Sequence, residues 1–135
     1  MLTKPEPEPP EDRVSIDIIT DEAAEDDTLS VLSWNILCDR YCTQALYGYT
    51  PSAALEWAHR RERILQELKG RRPDIISLQE CDEESFEDFF SPELAANEYK
   101  GVYYPKMRAE RMAGKERKTV DGCAIFFNRQ KYVAL

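Results

Sequence analysis

Two apolar runs in this sequence end on side chains that can do chemistry. Val31-Leu32-Ser33-Trp34 leads into Asn35, and Ile75-Ile76-Ser77-Leu78 leads into Gln79 and Glu80. Two strands delivering Asn35 and Glu80 at neighbouring ends would set an amide beside a carboxylate. A carboxylate at the end of a buried strand must be compensated. A hard cation would do this, since magnesium takes one or two protein carboxylates and completes its shell with water and phosphate. A salt bridge to an arginine, or service as the N-cap of the next helix, would compensate Glu80 equally well. Asn35 can hydrogen-bond a phosphoryl oxygen or a metal-bound water without adding charge, or can simply close its strand as a turn residue.

Other side chains offer weaker chemistry. Between Lys106 and Lys118 there are six bases (Lys106, Arg108, Arg111, Lys115, Arg117, Lys118) against Glu110 and Glu116. Such a loop can neutralise nucleic-acid phosphates, with a salt-sensitive affinity, or can be a solvated surface loop. Lys106, Arg108 and Lys118 are the candidates for substrate phosphate. Tyr41, Tyr47 and Tyr49 can stack on bases, although core packing is the commoner use of such residues. His59, the one histidine, falls in an amphipathic segment and is read as a surface or structural residue. Cys38 and Cys42 lack further partners for a four-ligand zinc site. With Cys81 and Cys123 they read as reduced thiols of a cytosolic or nuclear protein. No Gly-rich phosphate loop and no Ser/His nucleophile pair is evident.

The elements that must position these groups lie in the second part of the chain. The formal charge of −8 resides in residues 1–28, which hold ten acids and two bases; residues 29–135 hold sixteen of each. The acidic balance therefore describes an arm and does not exclude nucleic-acid binding by the rest. Residues 1–28 read as an acidic, Pro-rich linker, with one short strand over 14–19 where Val14, Ile16 and Ile18 alternate with polar residues. No run approaches the roughly 20 apolar residues that span a bilayer, so the chain is expected to be soluble.

The pattern predicts a strand over Leu29–Ile36, covered on both faces, and a compact aromatic loop to Tyr49. Thr50 with Pro51 should start a helix that Gly70 stops. A second strand is expected over Asp74–Gln79, then a short helix capped by Asp82 that carries Phe86, Phe89 and Phe90. Tyr99–Tyr104 should be a strand broken by Gly101, and Gly122–Phe127 a further strand. Tyr132–Leu135 reads as an element cut off at its start, the mark of a partial sequence. The order of strands and helices predicts a mixed α/β or α+β layered domain over residues 29–135.

The stretches SVLSWNILCDRYCT, LYGYTPSAALEW, PDIISLQE and KTVDGCAIFF carry a resemblance. From about Leu29 onward the chain resembles the catalytic domain of the carbon catabolite repressor type deadenylases. These are nuclease subunits of the Ccr–Not complex, within the endonuclease/exonuclease/phosphatase superfamily. The resemblance implies two packed β-sheets flanked by helices, incomplete here, with an apolar sheet face left open. It implies magnesium-dependent 3′–5′ removal of AMP from mRNA poly(A) tails, in the cytoplasm and nucleus, with poly(A) RNA and Ccr–Not subunits as partners. It assigns Glu80 as the magnesium ligand and Asn35 as the group supporting metal and scissile phosphate. The family's Asp-x-Asn and Asp-His motifs and its leucine-rich docking repeat do not occur in these 135 residues. The chain by itself is therefore expected to be inactive or nearly so. Two other readings remain: a nocturnin-like 2′-phosphatase of dinucleotides, and a non-catalytic binding fragment.

Overall fold

A computed structural model describes residues 28–134; the linker and the expected strand over 14–19 lie outside the described residues. Four strands form one mixed sheet in the order β1-β2-β4-β3, where β1 is Val31–Asn35, β2 Ile75–Asp82, β3 Tyr99–Pro105 and β4 Asp121–Asn128. β1 and β2 are parallel, so a crossover must join them. Helices α1 (Ser52–Leu55) and α2 (Trp57–Arg71) supply it. The remaining neighbours, β2 with β4 and β4 with β3, are antiparallel.

Helices cover one face of the sheet. Ile64, Leu65 and Leu68, at helical spacing on α2, are buried against Ile76, Leu78, Ala124 and Phe126 of the central strands. A second helical stretch completes the layer: α3 (Glu83–Ser85), a π-helical turn (Phe86–Phe90) and α4 (Ser91–Ala95). Phe90 and Leu94 from this stretch are fully buried. Each such side chain contributes roughly 1.5–3 kcal/mol by leaving water. As expected, Asp82 caps α3, its Oδ1 accepting from the Ser85 N–H at 2.7 Å.

The opposite face is open among the described residues. Val31, Val102, Tyr104 and Ile125 are exposed on it. The expectation that β1 is covered on both faces is thus corrected, because every helix packed on the sheet core lies on one side of it. An open apolar face is what half of a two-sheet architecture must show.

Five local expectations also differ. The helix after Pro51 breaks at Glu56, whose extended backbone separates α1 from α2. There the Leu55 carbonyl accepts from Arg60 Nε (3.2 Å), and Arg60 is drawn inward rather than left in solvent. Gly70 does not stop α2. The helix runs to Arg71, and Arg72 takes the left-handed cap position (φ 48°), because Pro73 disfavours a right-handed helical conformation in the residue before it. Gly101 does not break β3. It makes room for packing, since a Cβ there would lie 2.5 Å from the Phe126 ring. The basic segment is partly helical, with a 3-10 turn over Met107–Arg111 and α5 over Gly114–Lys118. Residues 132–134 form no regular element.

Candidate active site

Asn35 and Glu80 meet. Asn35 Nδ2 donates to Glu80 Oε1 at 2.7 Å, and Asn35 Oδ1 accepts from the Leu37 N–H at 2.9 Å. Asn35 therefore both closes its strand and presents an amide to the carboxylate. Of the two structural alternatives for Glu80, the cap is taken by Asp82, and Glu80 forms no ion pair among the described residues. Asn35 is exposed and Glu80 half-buried, so both are open to a ligand.

The backbone that presents Glu80 is unusual. Cys123 lies opposite Gln79 and Gly122 opposite Cys81, which leaves Glu80 as the extra residue of a β-bulge. Its φ is 57°, in the left-handed region. For a residue with a side chain this costs on the order of 1–2 kcal/mol, a strain that persists only where surrounding structure enforces it and that clusters at functional sites.

Arg60 supports this end of the sheet from below, and the sequence reading missed it. Its Nη1 donates to the carbonyls of Ile36 (3.1 Å) and Leu37 (2.8 Å), and Nη2 pairs with Asp39 at 3.4 Å. Its guanidinium also lies over the Trp57 ring, 5.0 Å from the centroid. Arg60 thus fixes the segment that follows Asn35, including Leu37 with its own left-handed φ of 55°. Only the tertiary contact with Ile36 and Leu37 reveals its role.

Asp121 is the second residue that was missed. It opens β4 and is fully buried. Arg108 Nη2 donates to its Oδ1 at 2.6 Å, Tyr41 Oη donates to the same oxygen at 3.3 Å, and Lys106 pairs with Oδ2. Burial pushes the Asp121 carboxyl up, but the Lys106 hydrogen bond, the charges of Lys106 and Arg108 and the Tyr41 hydroxyl outweigh it, and the net shift is downward. The same contact with Asp121 raises Lys106. The usable signal was an acid set between Val120 and Ala124, buried neighbours that follow a run of bases.

Lys106 and Arg108 therefore come together, with their side chains 56% and 48% exposed. Lys118 stands apart, paired with Glu87 at 2.6 Å. His59 is exposed on α2, as expected. Tyr47 and Tyr49 contact edge to face, and Tyr49 is 84% exposed, so core packing does not describe it. All four cysteines are free, and the described residues contain no group of three or more His, Cys, Asp or Glu that could hold a metal. A cavity of about 520 Å³ lies between Trp57, Arg61 and Phe89 and includes neither Asn35 nor Glu80. An oxygen-only pair of one amide and one accessible carboxylate suits a hard cation that keeps most of its water shell.

Comparison with known proteins agrees with this geometry. The model of the endonuclease/exonuclease/phosphatase family matches residues 32–134. The CCR4-Not complex 3′-5′-exoribonuclease subunit Ccr4 of Phaeosphaeria nodorum is 56% identical over 131 residues, covering 97% of this chain and 22% of the relative. Its counterpart in Schizosaccharomyces pombe is 52% identical over 104 residues, covering 77% and 15%. The chain thus spans about a fifth or less of the length of these relatives. Among solved structures, ANGEL2, a 2′,3′-cyclic phosphatase, superimposes with a TM-score of 0.63 at 31% identity, covering 76% of this chain and 27% of that one. The human Nocturnin catalytic domain does so with a TM-score of 0.56 at 30% identity, covering 76% and 33%. With the match extending across both strand ends that carry Asn35 and Glu80, the chain belongs to the endonuclease/exonuclease/phosphatase family.

Proposed function

We propose that this chain carries one wall of a magnesium-dependent 3′–5′ exoribonuclease site that shortens mRNA poly(A) tails. The observation that carries the reading is the Asn35–Glu80 pair, set by a strained bulge at an accessible sheet end. Glu80 would hold the metal. Asn35 would orient the Glu80 carboxylate with one N–H and offer the other to a phosphoryl oxygen. Bound magnesium would polarise the scissile phosphate and stabilise the leaving 3′-oxygen. Lys106 and Arg108 would receive the RNA backbone; Lys118, tied to Glu87, would contribute less. The water-activating carboxylate and a phosphate-binding histidine are assigned to the part of the relatives' length that this chain does not span. Assembly with Ccr–Not subunits and work in cytoplasm and nucleus belong to the same proposal. No helix among the described residues is long and apolar enough to cross a membrane.

The test is AMP release from an A-tailed RNA by the polypeptide at its relatives' full length, with and without magnesium. Glu80→Ala should abolish release, because removing a member of a catalytic constellation costs orders of magnitude in rate. Retained activity would overturn the metal assignment. The superposition on Nocturnin keeps a 2′-phosphatase reading in view, and hydrolysis of NADPH in preference to poly(A) would select it. Sequencing the transcript beyond the codon for Leu135 tests the third reading. An open frame with Asp-x-Asn and Asp-His motifs supports the nuclease, and a stop codon with stable protein of this length supports a binding fragment.

A further inference from the structure

Asp121 is a fully buried carboxylate that gathers groups from two loops far apart in sequence. Tyr41 belongs to the segment after β1, and Lys106 and Arg108 to the segment after β3. All three converge on its two oxygens. Arg108 also donates to the Tyr41 hydroxyl, and its guanidinium lies 5.9 Å from the centre of the Tyr41 ring. Gly122 lets this happen: a Cβ there would fall 2.3 Å from the Tyr104 carbonyl and close the approach of β3 to the start of β4. Asp121 faces Asp82 across the ladder, two residues beyond Glu80, so the cluster lies at the same sheet end as Asn35 and Glu80.

The charge balance is informative. One buried carboxylate meets two cations whose side chains stay about half exposed. Buried ion pairs are weak stabilisers compared with apolar packing. A surplus positive charge held at the surface by a hidden anchor is instead an arrangement for receiving an anion. Lysine and arginine side chains lose much conformational freedom when they are ordered. Holding them beforehand removes that cost from the binding step. Arg108 offers a planar fork suited to phosphate, and Lys106 a point charge beside it.

We propose that Asp121 is a positioning residue that locks Tyr41, Lys106 and Arg108 into a preformed clamp for one phosphodiester of a single-stranded RNA backbone. Asp121 never touches the RNA. The proposal rests on the nuclease reading of this sheet end and adds to it a buried group on which backbone capture depends. The clamp reads the phosphate and is indifferent to the base.

The test is binding of fluorescein-labelled A10 and U10 oligoribonucleotides to the intact chain, without divalent metal, by anisotropy across a salt series. The wild type should bind both comparably. Asp121→Asn should weaken both about tenfold, the loss of roughly one charge-assisted contact, and flatten the log–log salt slope by about 0.7. It should have no further effect in a Lys106→Ala, Arg108→Ala background, where a merely structural role would still show its full effect. Equal or tighter binding by Asp121→Asn would overturn the proposal, for it would mean that the carboxylate only masks the two cations. So would binding indifferent to Lys106 and Arg108. If Asp121→Asn does not fold by circular dichroism, Tyr41→Phe carries the test, since it removes one strut and keeps the carboxylate. About threefold weakening is then expected, and unchanged affinity overturns the clamp. The two levels fail differently. Without magnesium-dependent hydrolysis at full length, but with clamp-dependent binding of both oligonucleotides, the nuclease reading falls and the clamp stands. With hydrolysis intact and Asp121→Asn binding as the wild type does, the reverse holds.

Discussion

Replacing Glu80 by glycine and, separately, by alanine divides the strain of the bulge from the chemistry of its carboxylate. Both variants lose the 2.7 Å hydrogen bond from Asn35, so that loss cancels between them. Alanine keeps a Cβ in a left-handed conformation, at a cost of about 1–2 kcal/mol. Glycine escapes that cost but loses about 0.5–1 kcal/mol in chain entropy on folding. The balance makes Glu80→Gly more stable than Glu80→Ala by about 0.5–1 kcal/mol, or roughly 2–6 °C in Tm for a domain of this size. At Ser77, an ordinary strand position paired with Ser33 and Ile125, the order should invert, with alanine above glycine by about 0.5–1 kcal/mol. Thermal unfolding followed by circular dichroism reads both comparisons. Alanine equal to or above glycine at position 80 would show that the backbone there is not held left-handed, and the functional weight placed on the bulge would fall with it.

Three further outcomes follow from other contacts. Asp74 is held down to about 2, first by its hydrogen bond with Lys131 and then by the Ser30 N–H. A depressed carboxylate contributes stability that is present above its unfolded pKa near 4 and lost as pH falls toward 2. Tm should therefore drop between pH 4.5 and 2.5 in the wild type, and drop less in Asp74→Asn. Gly101→Ala should destabilise by about 1–3 kcal/mol through overpacking, because its Cβ meets Phe126 and Phe86. Denaturant titration should show Phe126→Leu costing less in that background than in the wild type. Finally, burial pushes the Cys38 thiol up to about 11 and Cys81 higher still, while Cys123 is exposed. A disulfide reagent at pH 8 should label Cys123 first, and Cys38 and Cys81 only on unfolding.

Where local pattern and tertiary structure agreed, the sequence could be read. The apolar runs ending at Asn35 and Gln79 became β1 and β2, Ile64, Leu65 and Leu68 formed the buried stripe of α2, and Asp82 capped the helix it precedes. The misreadings share a cause. Gly70 looked like a stop because glycine often is one, but the backbone restriction that ends α2 comes from Pro73 acting on Arg72. The break at Glu56 depends on Arg60 capturing a carbonyl, and the continuity of β3 through Gly101 depends on two aromatic rings from elsewhere. Arg60 and Asp121 look like ordinary charged residues until contacts 23 and 80 residues away are known. The bulge itself left no mark, since Gln79-Glu80-Cys81 contains no glycine to announce a left-handed residue.

The bulge explains how a strand with a buried face can deliver a carboxylate to solvent. Asn35 is level with Gln79 in the parallel register, and Val31, Ser33 and Asn35 all lie on the open face of the sheet. In a regular pleat side chains alternate. Glu80 would then follow Leu78 into the helical core, where an unpaired carboxylate is costly. The extra residue changes the alternation. Leu78 and Cys81 become the successive core side chains, both essentially inaccessible, and Glu80 is turned out to meet the Asn35 amide. Cys81 resumes the ladder opposite Gly122. The strain at Glu80 is therefore the local cost of keeping the core apolar while placing a charged oxygen at the accessible end of the sheet. A strand without the bulge could satisfy one of these demands but not both.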